Sequence, residues 1–270
     1  MNPQRSPISR KLTALQQLLE EMESVLVAFS GGIDSSLVLK VAHQTLGARA
    51  FGVTAVSPTF PTIELEVARR VGSEIGARHL VIDTDQLEIP AFVQNDASRC
   101  YHCKTDLYQM LERLRQEMGL ATMVDGTNLD DLGEERPGIT AARQWGVRSP
   151  LIDAGLSKAD VRALAKELGL SNWDKPAAAC LSSRIPRGVT ITRDNLSRVE
   201  HAEKALFDEG FRQVRVREHG DVARVELEAN EIERLLDEER RARISAKLKG
   251  LGYRFVTVDL DGYRPGGGNG

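Results

Sequence analysis

A chain of 270 residues with 41% hydrophobic content can bury one sizeable core and a second, smaller one. Its formal net charge of −3 gives no overall pull toward nucleic acid, and no apolar run approaches the roughly 18 residues a membrane helix needs. Three cysteines are too few for a disulfide framework, and residues 1–24 carry Lys, Arg and Glu where a secretory leader is apolar, so a cytoplasmic protein is expected.

In chain order, Leu12, Leu15, Leu18, Leu19 and Met22 recur at helical spacing and predict a helix with one buried stripe. Residues 25–29 are an unbroken run of strand formers that stops at Gly31 and Gly32, and a helical pattern follows over 35–46. Strand, glycine turn and helix in that order make a phosphate site, because glycines let backbone amides approach an oxygen-rich ligand and the helix start adds unpaired N–H groups. Ser30, Ser35 and Ser36 add hydroxyls. Asp34 would repel phosphate by itself, so it reads either as a helix cap or as a partner for magnesium on a polyphosphate.

The spacing then predicts a strand over 50–56, a helix over 62–75, and strands over 79–83 and 121–125. Ser157 caps a further helix that Gly169 ends. Strands alternating with helices specify an α/β domain with a doubly wound, mainly parallel sheet, whose ligands bind beyond the carboxyl ends of the strands. On that rim should lie Ser30–Asp34, Ser57 after the second strand, and Gly126 and Thr127 in the Asp125-Gly-Thr-Asn-Leu-Asp-Asp131 turn. That turn suits an adenosine or metal site and equally suits ordinary turn chemistry.

The first domain is expected over 1–170, followed by a cysteine-bearing connection over 171–189. A small α+β domain over 190–264 should contain a helix at 194–209, paired strands at 213–217 and 222–227, helices across 231–249 and a strand at 254–260. Asn230 and Glu233 have capping-box spacing. The glycine-rich tail, 265–270, is expected to be disordered.

Cys100 and Cys103 open a helical stretch and can chelate one metal centre, yet a lone CxxC also fits a redox pair, half a zinc site or two small buried residues. Cys180 follows a run of alanines and precedes hydroxyls and Arg184, a segment that can approach a ligand closely. Three thiolates from two segments suit a cubane cluster with one iron left open. Arg215 and Arg217 alternate by two and share one strand face, where they can meet a phosphate or carboxylate. Glu200, Glu203 and Glu226 read as surface residues.

The string Ser30-Gly-Gly-Ile-Asp-Ser-Ser36 lacks the marks of a Walker or dinucleotide-binding loop and resembles the PP-loop of the ATP pyrophosphatases, the adenine nucleotide alpha hydrolase-like fold. Together with the Asp125-Gly-Thr-Asn128 turn, Arg136-Pro-Gly138, the run from Lys175 to Gly188, Arg215-Val-Arg217, Ala223-Arg-Val-Glu226 and Asp259-Leu-Asp-Gly-Tyr263, it makes the chain similar to the LarE family along nearly its whole length. That resemblance implies an ATP-dependent sulfur transferase that adenylates a carboxylate of pyridinium-3,5-biscarboxylic acid mononucleotide and converts it to a thiocarboxylate, toward the nickel-pincer nucleotide of lactate racemase.

Family members either sacrifice the sulfur of one cysteine or hold a [4Fe-4S] cluster on three. Cys180 matches the sacrificial position, and Cys100 and Cys103 beside it make this chain resemble the cluster type. The resemblance further implies ATP binding by Ala28, Phe29, Ser30, Gly31, Gly32, Asp34, Ser35, Ser57, Gly126 and Thr127, with Mg2+ on Asp34. Arg184, Arg215 and Arg217 would bind the mononucleotide substrate, and Cys180 and Asp34 would be catalytic. Sulfide as co-substrate, a trimer or hexamer and docking to a nickel insertase complete the implied picture, with no membrane and no nucleic acid as partner. The rival readings are a tRNA thiolase, an amide synthetase that would not need the cysteines, and a nucleotide-sensing module.

Overall fold

A computed structural model of the chain describes residues 6–133 and 137–264. The tail over 265–270 and Arg136 lie outside the described residues. The elements are α1 (Pro7–Glu21), β1 (Val25–Ala28), α2 (Ile33–Leu46), β2 (Ala50–Val56), α3 (Thr62–Ile75), β3 (Arg78–Asp83), α4 (Pro90–Val93), α5 (Arg99–Glu117), β4 (Thr122–Val124), α6 (Pro137–Gln144), α7 (Pro150–Asp153), α8 (Lys158–Glu167), α9 (Arg193–Asp208), β5 (Val214–His219), β6 (Val222–Leu227), α10 (Glu238–Gly250) and β7 (Phe255–Val258). They fall into two compact units. The first takes the chain up to Ser57, Thr62–Thr84 and Cys100–Ala178; the second takes Pro58–Pro61, Asp85–Arg99 and everything from Ala179 onward.

In the first unit a four-stranded sheet runs in the order β3-β2-β1-β4 with every pairing parallel, as the alternation of elements predicts. Its strands are apolar on both faces because both are covered. Val25, Val27 and Phe29 pack with α1, α2 and α8 on one side, whereas Leu26, with Phe51 and Val53 of β2, packs against Tyr108 and Leu111 of α5 on the other. Period-two alternation thus serves two cores at once. The chain moves from β1 to β2 and β3 in one direction and returns to the far side of β1 for β4. That reversal opens a crevice beyond the carboxyl ends of β1 and β4, where ligands of open α/β sheets bind.

The second unit is the expected α+β arrangement: β5 and β6 form an antiparallel pair, β7 joins β6 in parallel, and α9 and α10 pack on the sheet through Ala202, Leu206, Ile244 and Leu248. The capping expected of Asn230 and Glu233 is replaced. Residues Ala229–Leu236 form a 3₁₀ stretch without a side-chain cap, and Asp237 caps α10 by accepting from the Arg240 amide at 2.7 Å. Asp237 stands directly before the last helix, so its short carboxylate reaches the free amide that Asn230 does not. No described helix is long and apolar enough to cross a membrane.

Candidate functional site

Phe29 leads from β1 into a turn held by its own hydroxyls. The Ser35 hydroxyl donates to the Gly32 carbonyl at 3.2 Å and accepts from the Ser30 amide at 3.2 Å, while the Ser36 hydroxyl donates to the same carbonyl at 2.8 Å. Only Gly31 has a positive φ, 72°, and a Cβ there would lie 2.7 Å from the Ala68 Cα of α3. Gly32 instead is the N-cap of α2, so Asp34 sits inside the first turn and the cap reading of Asp34 does not hold. The start of α2 carries no side-chain cap, so its first-turn amides offer the kind of site an anion takes.

Two residues outside the sequence reading brace this turn. The Asn172 amide donates to the Gly31 carbonyl and to the Ser36 hydroxyl, each at 2.9 Å, from a fully enclosed position. Thr54 of β2 donates to the Phe29 carbonyl at 2.7 Å, and its oxygen lies 2.7 Å from His79 Nε2. A threonine that has given its proton to a carbonyl must accept from the imidazole, which fixes His79 as the Nε2–H tautomer. Burial, then Arg69, lowers the His79 pKa below its ordinary 6.5.

A histidine with a depressed folded pKa adds stability that is present above the unfolded value and is lost as pH falls through the folded one. The unfolding free energy of the native chain is therefore expected to decline below about pH 6.5, and His79→Asn should flatten that decline in urea titrations run between pH 7.5 and 5. Thr54→Val, which drops one net hydrogen bond of about 1 kcal/mol, should raise the KM for ATP about fivefold. An unchanged KM would show that the Phe29 carbonyl does not set the loop.

The turn after β4 is split between structure and site. Asp125 is consumed by the fold: it accepts from Thr127 N at 3.1 Å, Thr127 Oγ1 at 2.8 Å and Ser149 Oγ at 2.8 Å. Gly126 lies so close to α2 that a Cβ would stand 2.6 Å from the Ser35 amide. Asn128 reaches the loop itself, donating to Asp34 Oδ1 at 3.1 Å. The other Asp34 oxygen accepts from the Lys158 ammonium at 2.5 Å. Lys158 is the first residue of α8, held there by the Ser157–Asp160 capping box. Ser57 closes the first unit's share of the β2 loop, and Ala28 ends β1 beneath the turn. Asp34, Asn128 and Lys158 thus gather beside the amide-lined loop, at the reversal of strand order.

Cys100 and Cys103 stand three residues apart in the first turn of α5, in the first unit, and Cys180 lies in the second. None of the three is in a disulfide. Within either unit, the described residues gather no group of three His, Cys, Asp or Glu side chains around a common metal position. Lys104, next to Cys103, has its ammonium 5.5 Å from the Tyr108 ring centroid, and its pKa is raised chiefly by Tyr108.

Cys180 is the N-cap of a 3₁₀ turn, Leu181–Arg184, and its sulfur lies 3.0 Å from the Ser182 hydroxyl. Arg184, read from sequence as a substrate contact, is spent internally. It grips Glu203 bidentately at 2.8 and 2.9 Å and donates to the Ala179 and Cys180 carbonyls at 2.7 and 2.9 Å. Arg217 likewise grips Glu226 at 2.8 Å through two nitrogens and donates to the Ser183 carbonyl at 2.9 Å. Glu203 and Glu226 are accordingly 4% and 2% exposed, a correction to their reading as surface residues. Arg215 is buried with them, donating to the Val214 carbonyl at 2.7 Å, and its pKa is lowered by burial and then by Arg184. Three buried guanidinium groups thus stand with two buried carboxylates in the second unit.

Residues 13–127 match the family described as asparagine synthase. The chain is 40% identical to the pyridinium-3,5-bisthiocarboxylic acid mononucleotide synthase of Lactiplantibacillus plantarum over 260 residues, 96% of this chain and 94% of that one. An uncharacterized protein of Synechocystis sp. is 41% identical over 259 residues, covering 96% and 97% of the two chains. A probable tRNA sulfurtransferase of Methanobrevibacter smithii is 26% identical over 110 residues, 40% of this chain and 28% of that one.

Proposed function

The chain belongs to the LarE family, that of the pyridinium-3,5-bisthiocarboxylic acid mononucleotide synthase, and from that premise we propose that this ATP-dependent sulfurtransferase acts on pyridinium-3,5-biscarboxylic acid mononucleotide. A carboxylate resists attack by sulfur until its oxygen becomes part of a good leaving group. One carboxylate oxygen attacks the α-phosphorus of ATP, the bond to the β-phosphate breaks, and pyrophosphate departs. Sulfur then adds to the acyl carbon, the carbon–oxygen bond breaks, and AMP leaves with the bonding electrons, giving the thiocarboxylate. The product serves the nickel-pincer nucleotide of lactate racemase.

The observation that supports this reading most is the Asp34–Lys158–Asn128 group beside the loop of Ser30–Ser35. Loop amides would hold the pyrophosphate, Asp34 would carry Mg2+, and Lys158, released from Asp34, would meet the developing phosphate charge. Adenylation belongs in this reading to the domain expected over 1–170, and Cys180 and the substrate-binding arginines to 171–189 with the domain over 190–264. Arg215, beside Arg184 and Arg217, is read as the guanidinium that meets the substrate's anionic groups.

The donor set fits an iron–sulfur cluster in its chemistry, since Cys100, Cys103 and Cys180 are three cysteines outside any disulfide. A [4Fe-4S] cluster on these three would supply hydrosulfide from its cysteine-free iron. In the sacrificial version the Cys180 thiolate itself displaces AMP to form a thioester. Loss of the Cys180 α-proton then breaks its Cβ–S bond, leaving dehydroalanine on the chain and the sulfur on the product. A cytoplasmic trimer or hexamer that hands its product to a nickel insertase completes the proposal.

The test is pyrophosphate release with each candidate acceptor. Release should require the pyridinium biscarboxylate mononucleotide and should be matched by thiocarboxylate in the product mass spectrum. Release stimulated by tRNA or ammonia in its place would move the chain to the thiolase or amide-synthetase reading.

A further inference from the structure

Asn95 has a φ of 58° without being glycine and is fully enclosed. Asparagine tolerates this left-handed region better than most residues, and here the conformation aims its side chain at one segment of chain. Its amide nitrogen donates to the carbonyls of Pro186 at 2.8 Å and Val189 at 3.0 Å, with Ile185 at 3.3 Å. Its amide oxygen accepts from Arg99 Nη1 at 2.5 Å, and the same nitrogen donates to the Ser182 carbonyl at 2.9 Å. Backbone bonds extend the seam, from Gly188 N to Asn95 O at 3.1 Å and from Ile191 N to Val93 O at 3.0 Å. All of these residues belong to the second unit.

We propose that Asn95 and Arg99 are positioning residues for Cys180, resting on the reading in which that cysteine takes part in sulfur transfer. The backbone that follows the Cys180 sulfur is pinned at three points. Arg184 holds the Cys180 carbonyl, the Leu181 amide donates to the Thr59 carbonyl at 2.8 Å, and Arg99 holds the carbonyl of Ser182, whose hydroxyl lies against Sγ. Without Arg99 the turn Leu181–Arg184 keeps its inner partner and loses its outer one, so the Ser182 hydroxyl and the sulfur rotate together. Arg99 Nε is enclosed and meets no acceptor among the described residues. A buried donor left unsatisfied is a cost that needs an explanation, and one that sits beside the sulfur segment points to a role there beyond packing.

The role is one of geometry, so the two half-reactions should separate. With ATP and the pyridinium biscarboxylate mononucleotide, Asn95→Ala and Arg99→Ala should release pyrophosphate within about twofold of the native rate and form about tenfold less thiocarboxylate per pyrophosphate, the size of loss that misplacing a reacting group produces. The rate of iodoacetamide labelling at Cys180, followed on its own peptide by mass spectrometry, should change about threefold or more, in line with a moved thiol. Arg99→Lys, which still reaches one carbonyl with a cation, should recover most of the ratio and serves if the alanine variants do not fold. A lowered melting temperature with an unchanged thiocarboxylate-to-pyrophosphate ratio and unchanged labelling would overturn the proposal. If the native chain itself releases pyrophosphate but transfers no sulfur, it is the functional reading that has failed.

Discussion

Cys180→Ala is expected to abolish thiocarboxylate formation, by a factor of about 10³ or more, while pyrophosphate release persists and the acyl adenylate accumulates or hydrolyses. Both routes to sulfur pass through this residue, as the cluster's third thiolate or as the sulfur itself, and a methyl group supplies neither. Cys180→Ser should behave the same way, because a hydroxyl is neither an iron ligand of comparable strength nor a nucleophile without a strong base. Cys100→Ala and Cys103→Ala then divide the routes. If the three thiolates act together, each variant loses iron on anaerobic reconstitution and loses sulfur transfer with it. Under the sacrificial route both variants stay active, and the native chain loses the mass of one hydrogen sulfide at Cys180 after turnover. Product formed by Cys180→Ala would remove the cysteine from the chemistry and return the amide-synthetase reading.

The parts of this site that sequence made legible are those written in backbone. An apolar strand, Gly31 and a helix start are contiguous, so their spacing alone marks the loop, and the alternation of periods two and 3.6 marks the sheet around it. Side chains that meet across long stretches leave no such trace. Lys158 stands 124 positions from Asp34 and Asn172 stands 141 from Gly31. Each belongs to a locally unremarkable stretch, the one a lysine after a helix cap, the other an asparagine in a turn. Arg184 was visible as a cation, and its use was not: Glu203, its partner, lies 19 positions on in a helix that also carries the half-buried Glu200. The return of Pro58–Pro61 and Asp85–Arg99 to the second unit is equally silent in sequence, because these segments carry the turn chemistry of ordinary loops. Asn95 is silent for the same reason, since its burial and its left-handed φ exist only in the folded chain.

Lys158→Met is expected to lower kcat/KM for ATP in pyrophosphate release by about 10² to 10³, the usual cost of removing one charged donor from developing transition-state charge. The substitution should be tolerated by the fold. Lys158 contributes its backbone to the first turn of α8, whose cap is built by Ser157 and Asp160, and its side chain packs no core. The ammonium neutralises one Asp34 oxygen while Asn128 holds the other, so the carboxylate is held in one orientation. In the proposed function Mg2+ would take that carboxylate, and the displaced ammonium would turn to the phosphates held by the loop. Two consequences follow from this exchange. Asp34→Asn should raise the magnesium concentration needed for half-maximal release. The double variant should lose less than the sum of the two single losses, because the residues share one function. Pyrophosphate release by Lys158→Met at the native rate would mean that the pair is only a surface ion pair, and additive losses would mean that Asp34 and Lys158 act on ATP independently.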